Sequence, residues 1–297
     1  GLMSFLTQIS RLVKDPSPNY VFELSEAGVA FAQRGNGRPG DPGFAPFDPG
    51  TLVVSPIEDN IHKADAAAAL LKRIAPLDHA RQRRRAALIL PDYAARVSVL
   101  DFDAFPASPE EQLSLIRFRL KKTLPFDIDS AAVSYFAQPA EKGATIEVVA
   151  VIVALEIIAR YEALFRAMNF HAGEVTTSAL AALHLCPPEA RPEAVNVVAK
   201  LSANTLTVMV LRGETLKLFR CVALERVTEE QILAVLQPTF SYVEDELAAP
   251  AEKLTLCGFP SGALASLPYP KETLRSSLGA PGAFNAGLLG YLEGARN

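Results

Sequence analysis

The chain has no tryptophan, only three cysteines and four histidines, and no strong excess of charge. The missing tryptophan excludes nothing. The cysteines exclude more: Cys186, Cys221 and Cys257 are odd in number and widely spaced. That argues against a disulfide framework and against a zinc site, and leaves three small buried apolar residues in a reducing, cytoplasmic compartment. A net charge of −4 supplies no global field to draw the chain to nucleic acid. No apolar run approaches the roughly 18 residues that a membrane span needs. The first apolar residues are periodic rather than continuous, which does not suit a signal peptide. Neither G-x-x-x-x-G-K-[ST] nor G-x-G-x-x-G occurs, and Gly258-Phe-Pro-Ser-Gly262 lacks the spacing of a nucleophile elbow. His62, His79, His171 and His184 are scattered, with only weak ligand candidates such as Asp65 nearby, so they read as ordinary core or surface residues. The basic run Arg81–Arg85 has no interleaved aromatics and reads as a solvated stretch that blunts a strand edge.

What is present is apolar patterning. Of 297 residues, 49% are hydrophobic, enough for two domains with sizeable cores. The most legible stretch is Ser108–Phe136. Ser108 reads as an N-cap, Pro109 as the first helical residue and Glu111 as the partner of a capping box. Leu113, Ile116, Leu120 and Leu124 recur at helical spacing, Pro125 stops the helix, and a strand-like run follows from Ala131 to Phe136.

In chain order, Leu2, Phe5, Leu6, Ile9, Leu12 and Val13 make one face of an amphipathic leader over residues 1–18. Its two basic residues favour contact with protein over lipid. Tyr20–Ser25 and Val29–Gln33 predict a hairpin around Glu26-Ala-Gly28. Residues 35–50 read as loop, Thr51–Val54 as a short strand, Lys63–Ile74 as a helix and Ala86–Leu90 as a strand. From 94 to 176 the order is strand, helix, strand, strand, helix, strand, a βαββαβ unit inserted in a larger first domain made of 19–93 and 177–190. Ser178 reads as the N-cap of a helix to Leu185. Residues 191–297 predict a second domain: three strands from Ala194, a helix from Thr228 to Leu247, a strand over Lys253–Cys257 and a helix over Ala283–Leu292. The hairpin, strand and helix at the start are coarsely duplicated after residue 194. The Asp127/Asp129 pair reads as turn and cap chemistry.

This order, with Ile116-Arg-Phe-Arg-Leu120, Pro125-Phe-Asp127, Leu88-Ile-Leu-Pro-Asp92, Ala95–Phe102 and Asn285-Ala-Gly-Leu-Leu289, resembles the PilM family of type IV pilus assembly proteins. The resemblance covers nearly the whole chain, and the Ser108–Phe136 segment is its most specific part. It implies an α/β, actin-like (ribonuclease H-like) fold of two domains with an α+β insertion. The cytoplasmic part of the type II secretion protein GspL shares that fold and is the runner-up.

The resemblance also implies where nucleotide would bind: two hairpins, each starting Asp-x-Gly, that present backbone N–H groups to phosphate while the acids hold a metal-bound water. Aligned to that pattern, the first hairpin reads Glu23-Leu24-Ser25 and the second Ala199-Lys200-Leu201, and the adenosine-side Gly-Gly becomes Gly258-Phe259. These departures imply a pseudo-ATPase that needs no cofactor, with the stretch before the Thr228 helix too short for the second domain's small lobe. As a PilM-like scaffold it would bind the cytoplasmic tail of an inner-membrane pilus protein, PilN in that family, near Ile116, Leu120 and Leu124. It would sit in the cytoplasm, peripheral to the inner membrane through that partner. The rival reading is an ATPase using ATP and Mg²⁺, with Glu23 as one acid and Glu214 or Glu225 as the other.

Overall fold

The computed structural model describes residues 18–35, 38–76 and 83–294. The expected N-terminal leader helix, His79 and the start of the basic run lie outside the described residues.

The first sheet is built on β1 (Tyr20–Leu24) and β2 (Gly28–Gly35), the expected hairpin, with β3 (Arg38–Pro39) and β4 (Gly43–Pro46) added on the β2 side. The stretch expected to be loop thus contributes two short strands. The strand expected at Thr51–Val54 reduces to one isolated bridge, Leu52 to Ile61. After α1 (Ala64–Ile74), β5 (Arg84–Leu90) runs parallel to β1, and β9 (Phe170–Thr177) runs parallel to β5. Both faces of this sheet are covered, so its strands are apolar on both sides. On one face Phe22 and Leu24 pack with α1 and with α3 (Leu155–Arg166). Tyr20, Phe22, Phe165 and Phe170 meet there with centroids 5.0–6.2 Å apart. On the other face Val21 and Ile89 pack with α4 (Ser178–Ala182) and α6 (Ala286–Gly294).

The second sheet repeats the plan. Strands β10 (Val195–Ser202), β11 (Thr205–Arg212) and β12 (Thr215–Ala223) form an antiparallel meander, and β13 (Ala251–Cys257) and β14 (Lys271–Thr273) add in parallel on the β10 side. The orders β3-β2-β1-β5-β9 and β12-β11-β10-β13-β14 match position by position, which is the coarse duplication read from sequence. Helix α5 (Glu229–Glu246) runs unbroken through Pro238 and covers one face with Ile232, Val235, Leu236, Phe240 and Val243. Only Leu224–Thr228 separate β12 from α5.

Two boundaries differ from expectation. The βαββαβ unit is split: β6 (Arg96–Phe102), β7 (Ala131–Ala137) and β8 (Ile146–Ala154) form a separate antiparallel sheet beside α2 (Pro109–Leu120), but α3 and β9 belong to the first lobe. The sequence order of a βαββαβ unit does not fix which sheet its last strand joins. Phe170 and Thr176 are buried against the first lobe, and that burial decides it. Helix α6, expected in the second domain, packs mainly on α4 and the first sheet, while its Ala286 and Leu289 also cluster with Cys257 and Leu274 of the second lobe. Its glycines permit the contact with α4: a Cβ on Gly290 would lie 2.1 Å from the Ala181 carbonyl oxygen.

Candidate functional site

Where the two lobes meet, the β1–β2 and β10–β11 hairpins face each other across a narrow cleft. Their registers correct the sequence alignment. Glu23 pairs with Ala30, seven residues on, and lies beside Ile89 of β5. The residue in the same place on the second hairpin is Lys200, which pairs with Thr207, again seven residues on, and lies beside Cys257 of β13. The equivalent triplets are therefore Glu23-Leu24-Ser25 and Lys200-Leu201-Ser202, one residue later than expected. Ala199 and Leu201 are not cleft residues; both point into the second lobe's core with α5. A strand's side chains alternate between faces, so a one-residue slip exchanges core for cleft.

The cleft polar groups are almost all buried: Glu23, Asp92, Ser178, Lys200 and Thr207 are 5% exposed or less. Asp92 sits in a short 3-10 turn, Asp92–Ala94, just after β5. Its Oδ1 accepts from the Ala179 N–H at 2.7 Å, and its Oδ2 accepts from Thr207 Oγ1 at 3.1 Å and from Lys200 Nζ at 3.5 Å. Asp92 thus caps α4, the part assigned to Ser178 from sequence; Ser178 is the first helical residue and Thr177 flanks it without a side-chain cap. Glu23 Oε1 accepts a short hydrogen bond from Ser178 Oγ, and Oε2 accepts from the Leu288 N–H at 2.7 Å. Two helix N-termini, of α4 and α6, thus turn their free N–H groups on the two carboxylates. Lys200 Nζ also donates to Ser202 Oγ at 2.6 Å, which donates in turn to the Ala283 carbonyl at 2.7 Å.

Burial raises the Glu23 pKa above the usual carboxylate value, against the opposing pull of Lys200 and its hydrogen bonds. Burial works against the Lys200 ammonium too, but Asp92 and Glu23 outweigh it and its pKa is raised. The space left among these groups is a cavity of about 30 Å³, a few water molecules at most. Sites that enclose a nucleotide-sized ligand run to roughly 300–1,000 Å³.

The remaining candidates lie apart from this centre. Ser25 lines the cavity, but its Oγ bonds the Gly28 carbonyl in its own turn at 3.1 Å. Gly258 holds φ at +79°, and a Cβ there would lie 2.1 Å from the Leu201 carbonyl oxygen, so contact between β10 and β13 already requires a glycine. Glu214 and Glu225 are exposed and do not line the cavity. Ile116 and Leu120, expected to meet a partner, are at most 2% exposed in the insertion's own core with Phe102, Ile128 and Val148; Leu124 packs half-buried against it. The helical stripe that suggested them is the face α2 turns to its own sheet. The same helix shows Phe118, 78% exposed, next to Arg119.

Lys200 and Asp92 stand in the motifs quoted above, but neither they nor Thr207 carry a part in the site as read from sequence. The signal available was Asn196, Lys200 and Ser202 at period two in an otherwise apolar strand. Burial pushes the thiol pKa values of Cys186 and Cys221 to about 12 and of Cys257 to about 11, so all three are protonated and free. Among the described residues, no group of three His, Cys, Asp or Glu comes together, and no helix is long and apolar enough to cross a membrane.

No family model matches the chain, and no curated protein matches it. Solved structures do. One is the PilM–PilN type IV pilus biogenesis complex, 17% identical, with a TM-score of 0.70 over 95% of this chain and 99% of that one. Another is a Bacteroides thetaiotaomicron protein with an actin-like ATPase fold and unknown function, 13% identical, with a TM-score of 0.57 over 93% and 96%. A third is the cytoplasmic domain of EpsL, an inner-membrane component of the type II secretion system of Vibrio cholerae, 13% identical, with a TM-score of 0.52 over 92% and 93%. Two lobes built on one duplicated sheet plan, meeting at paired hairpins, and the likeness to these structures place the chain in the actin-like fold.

Proposed function

We propose that the chain is a non-catalytic, PilM-like scaffold of type IV pilus assembly, a pseudo-ATPase that works in the cytoplasm at the inner membrane. It binds the cytoplasmic tail of an inner-membrane pilus protein of the PilN kind. The observation that carries the loss of catalysis is Lys200. An ammonium stands where the second hairpin would need an acid to hold a metal-bound water. Serines 25 and 202 stand where glycines would let backbone approach phosphate. The residues present do not suit magnesium and a nucleotide, and the free volume between them is about 30 Å³. The pilus assignment draws its support from the likeness to the PilM–PilN structure along almost the full length of both chains. The likeness to cytoplasmic EpsL favours a GspL-like place in type II secretion as the second reading.

The partner surface is not the Ile116 stripe. The exposed face of the insertion, where Phe118 stands out, is the place left for an extended tail. Titration calorimetry with millimolar ATP and Mg²⁺ is expected to give no heat and no shift in melting temperature. Micromolar binding would overturn the pseudo-ATPase reading. A pull-down in which the candidate tail fails to bind, while another pilus component is captured, would overturn the choice of partner.

A further inference from the structure

The cleft contains one ammonium and two carboxylates, and they come from opposite lobes. Glu23 and Asp92 belong to the first lobe, Lys200 and Thr207 to the second. Hairpin register makes Lys200 the counterpart of Glu23, so the duplicated position carries opposite charges on the two sides. The lysine side chain is 3% exposed, too buried to owe its place to solvent. It spans the lobe boundary to Asp92 Oδ2, and Thr207 Oγ1 crosses to the same oxygen. Ser202 Oγ completes the ammonium's surroundings and is itself tied to the Ala283 carbonyl. The Ala179 N–H at the start of α4 answers only part of the charge on the buried Asp92 carboxylate, and the ammonium and Thr207 Oγ1 answer the rest.

We propose that Lys200 is a tethered cation: its ammonium fills the place between the lobes that a bound cation would otherwise take, and it clasps the lobes in one fixed closure. A freely exchanging ion lets a cleft open when it leaves. An ammonium on the second lobe's own strand cannot leave, and separating the lobes strips Asp92 of two of its three hydrogen-bond donors. The proposal needs neither the pilus assignment nor a tail. Its readout is stability, whereas nucleotide and tail binding decide the function proposed above, so either can fail alone.

The test is the melting temperature of the full chain carrying Lys200→Ala, measured in sodium chloride, in ethylammonium chloride, in magnesium chloride, and with 1-propanol as the uncharged mimic. The substitution leaves Asp92 facing an empty buried space, and the melting temperature is expected to fall by about 10 °C. Ethylammonium or magnesium should restore at least half of that loss and 1-propanol none of it. An unchanged melting temperature, or equal rescue by ethylammonium and 1-propanol, would assign Lys200 a packing role and overturn the proposal. Should Lys200→Ala fail to fold, Lys200→Met combined with Asp92→Asn removes both charges at once. That pair is expected to melt above Lys200→Met alone, and a double variant that loses the sum of the two single losses rejects the clasp.

Discussion

Glu23 is a buried acid, held by one hydroxyl and one backbone N–H. Because burial raises its pKa in the folded chain, the protonated form is the one folding favours. The sign follows from linkage: the contribution to stability is fully present below the unfolded value near 4.5 and is lost as pH rises through the folded pKa. Glu23→Gln keeps both contacts, its carbonyl accepting from Leu288 and its amide donating to Ser178. The variant should match or exceed the parent's melting temperature at pH 8 and show a flatter stability profile from pH 5 to 8. A parent-like slope would move the titration elsewhere. Such detail was only partly legible in the sequence. Glu23 stood out because the family resemblance pointed at it, whereas Lys200 was passed over. A lysine in a strand usually marks an exposed edge, and the partner that buries this one lies 108 residues away.

At the scale of elements, local signals read well and partnerships did not. Ser108 caps α2 as its pattern demanded, accepting from the Glu111 N–H, and Pro109 opens the helix. The extents of β1, β2, β5 to β13 and the long helices followed from period and punctuation. What those signals lack is the identity of the neighbour. Nothing in Phe170–Thr177 says that Phe170 pairs with Arg84, 86 residues earlier, and nothing in Ala286–Gly294 says that it docks on the first lobe. Gly287 and Gly290 were the clue to that docking, since a helix gives up propensity at glycine only where something presses close. Gly290→Ala should therefore destabilise, although alanine favours helix by up to ~1 kcal/mol. Its Cβ would meet the Ala181 backbone, not a side chain that can swing aside, and overpacking against fixed atoms costs about 1–3 kcal/mol. Denaturant unfolding decides the matter: a midpoint at or above the parent's would show that α4 and α6 have room to part.

At the scale of the whole molecule, the insertion is not a pendant. Gln138, at the end of β7, donates to the Leu216 carbonyl at 2.7 Å and accepts from the Leu216 N–H at 2.8 Å, pairing with the second lobe's outer strand. Glu147 and Lys217 add an ion pair at 2.6 Å, mostly out of water. Gln138→Ala would orphan both Leu216 backbone groups, a loss of about 2 kcal/mol. Faster amide exchange along β12 should accompany it, with β10 unaffected. Exchange confined to β7 would mean that the insertion and the second lobe hold together without this contact.

The place of α6 has a consequence for the order in which the chain takes shape. The first lobe holds the earliest described strands, yet its last layer and the N–H that serves Glu23 come from residues 286–294. During synthesis the insertion and the β10–β13 sheet can close while the first sheet still lacks its cover. The lobe begun first is therefore the one finished last. Until α6 arrives, Val21 and Ile89 have only α4 over them and Glu23 lacks its backbone donor, and a nascent or nicked chain lacking that helix would offer this half-covered face to chaperones and proteases.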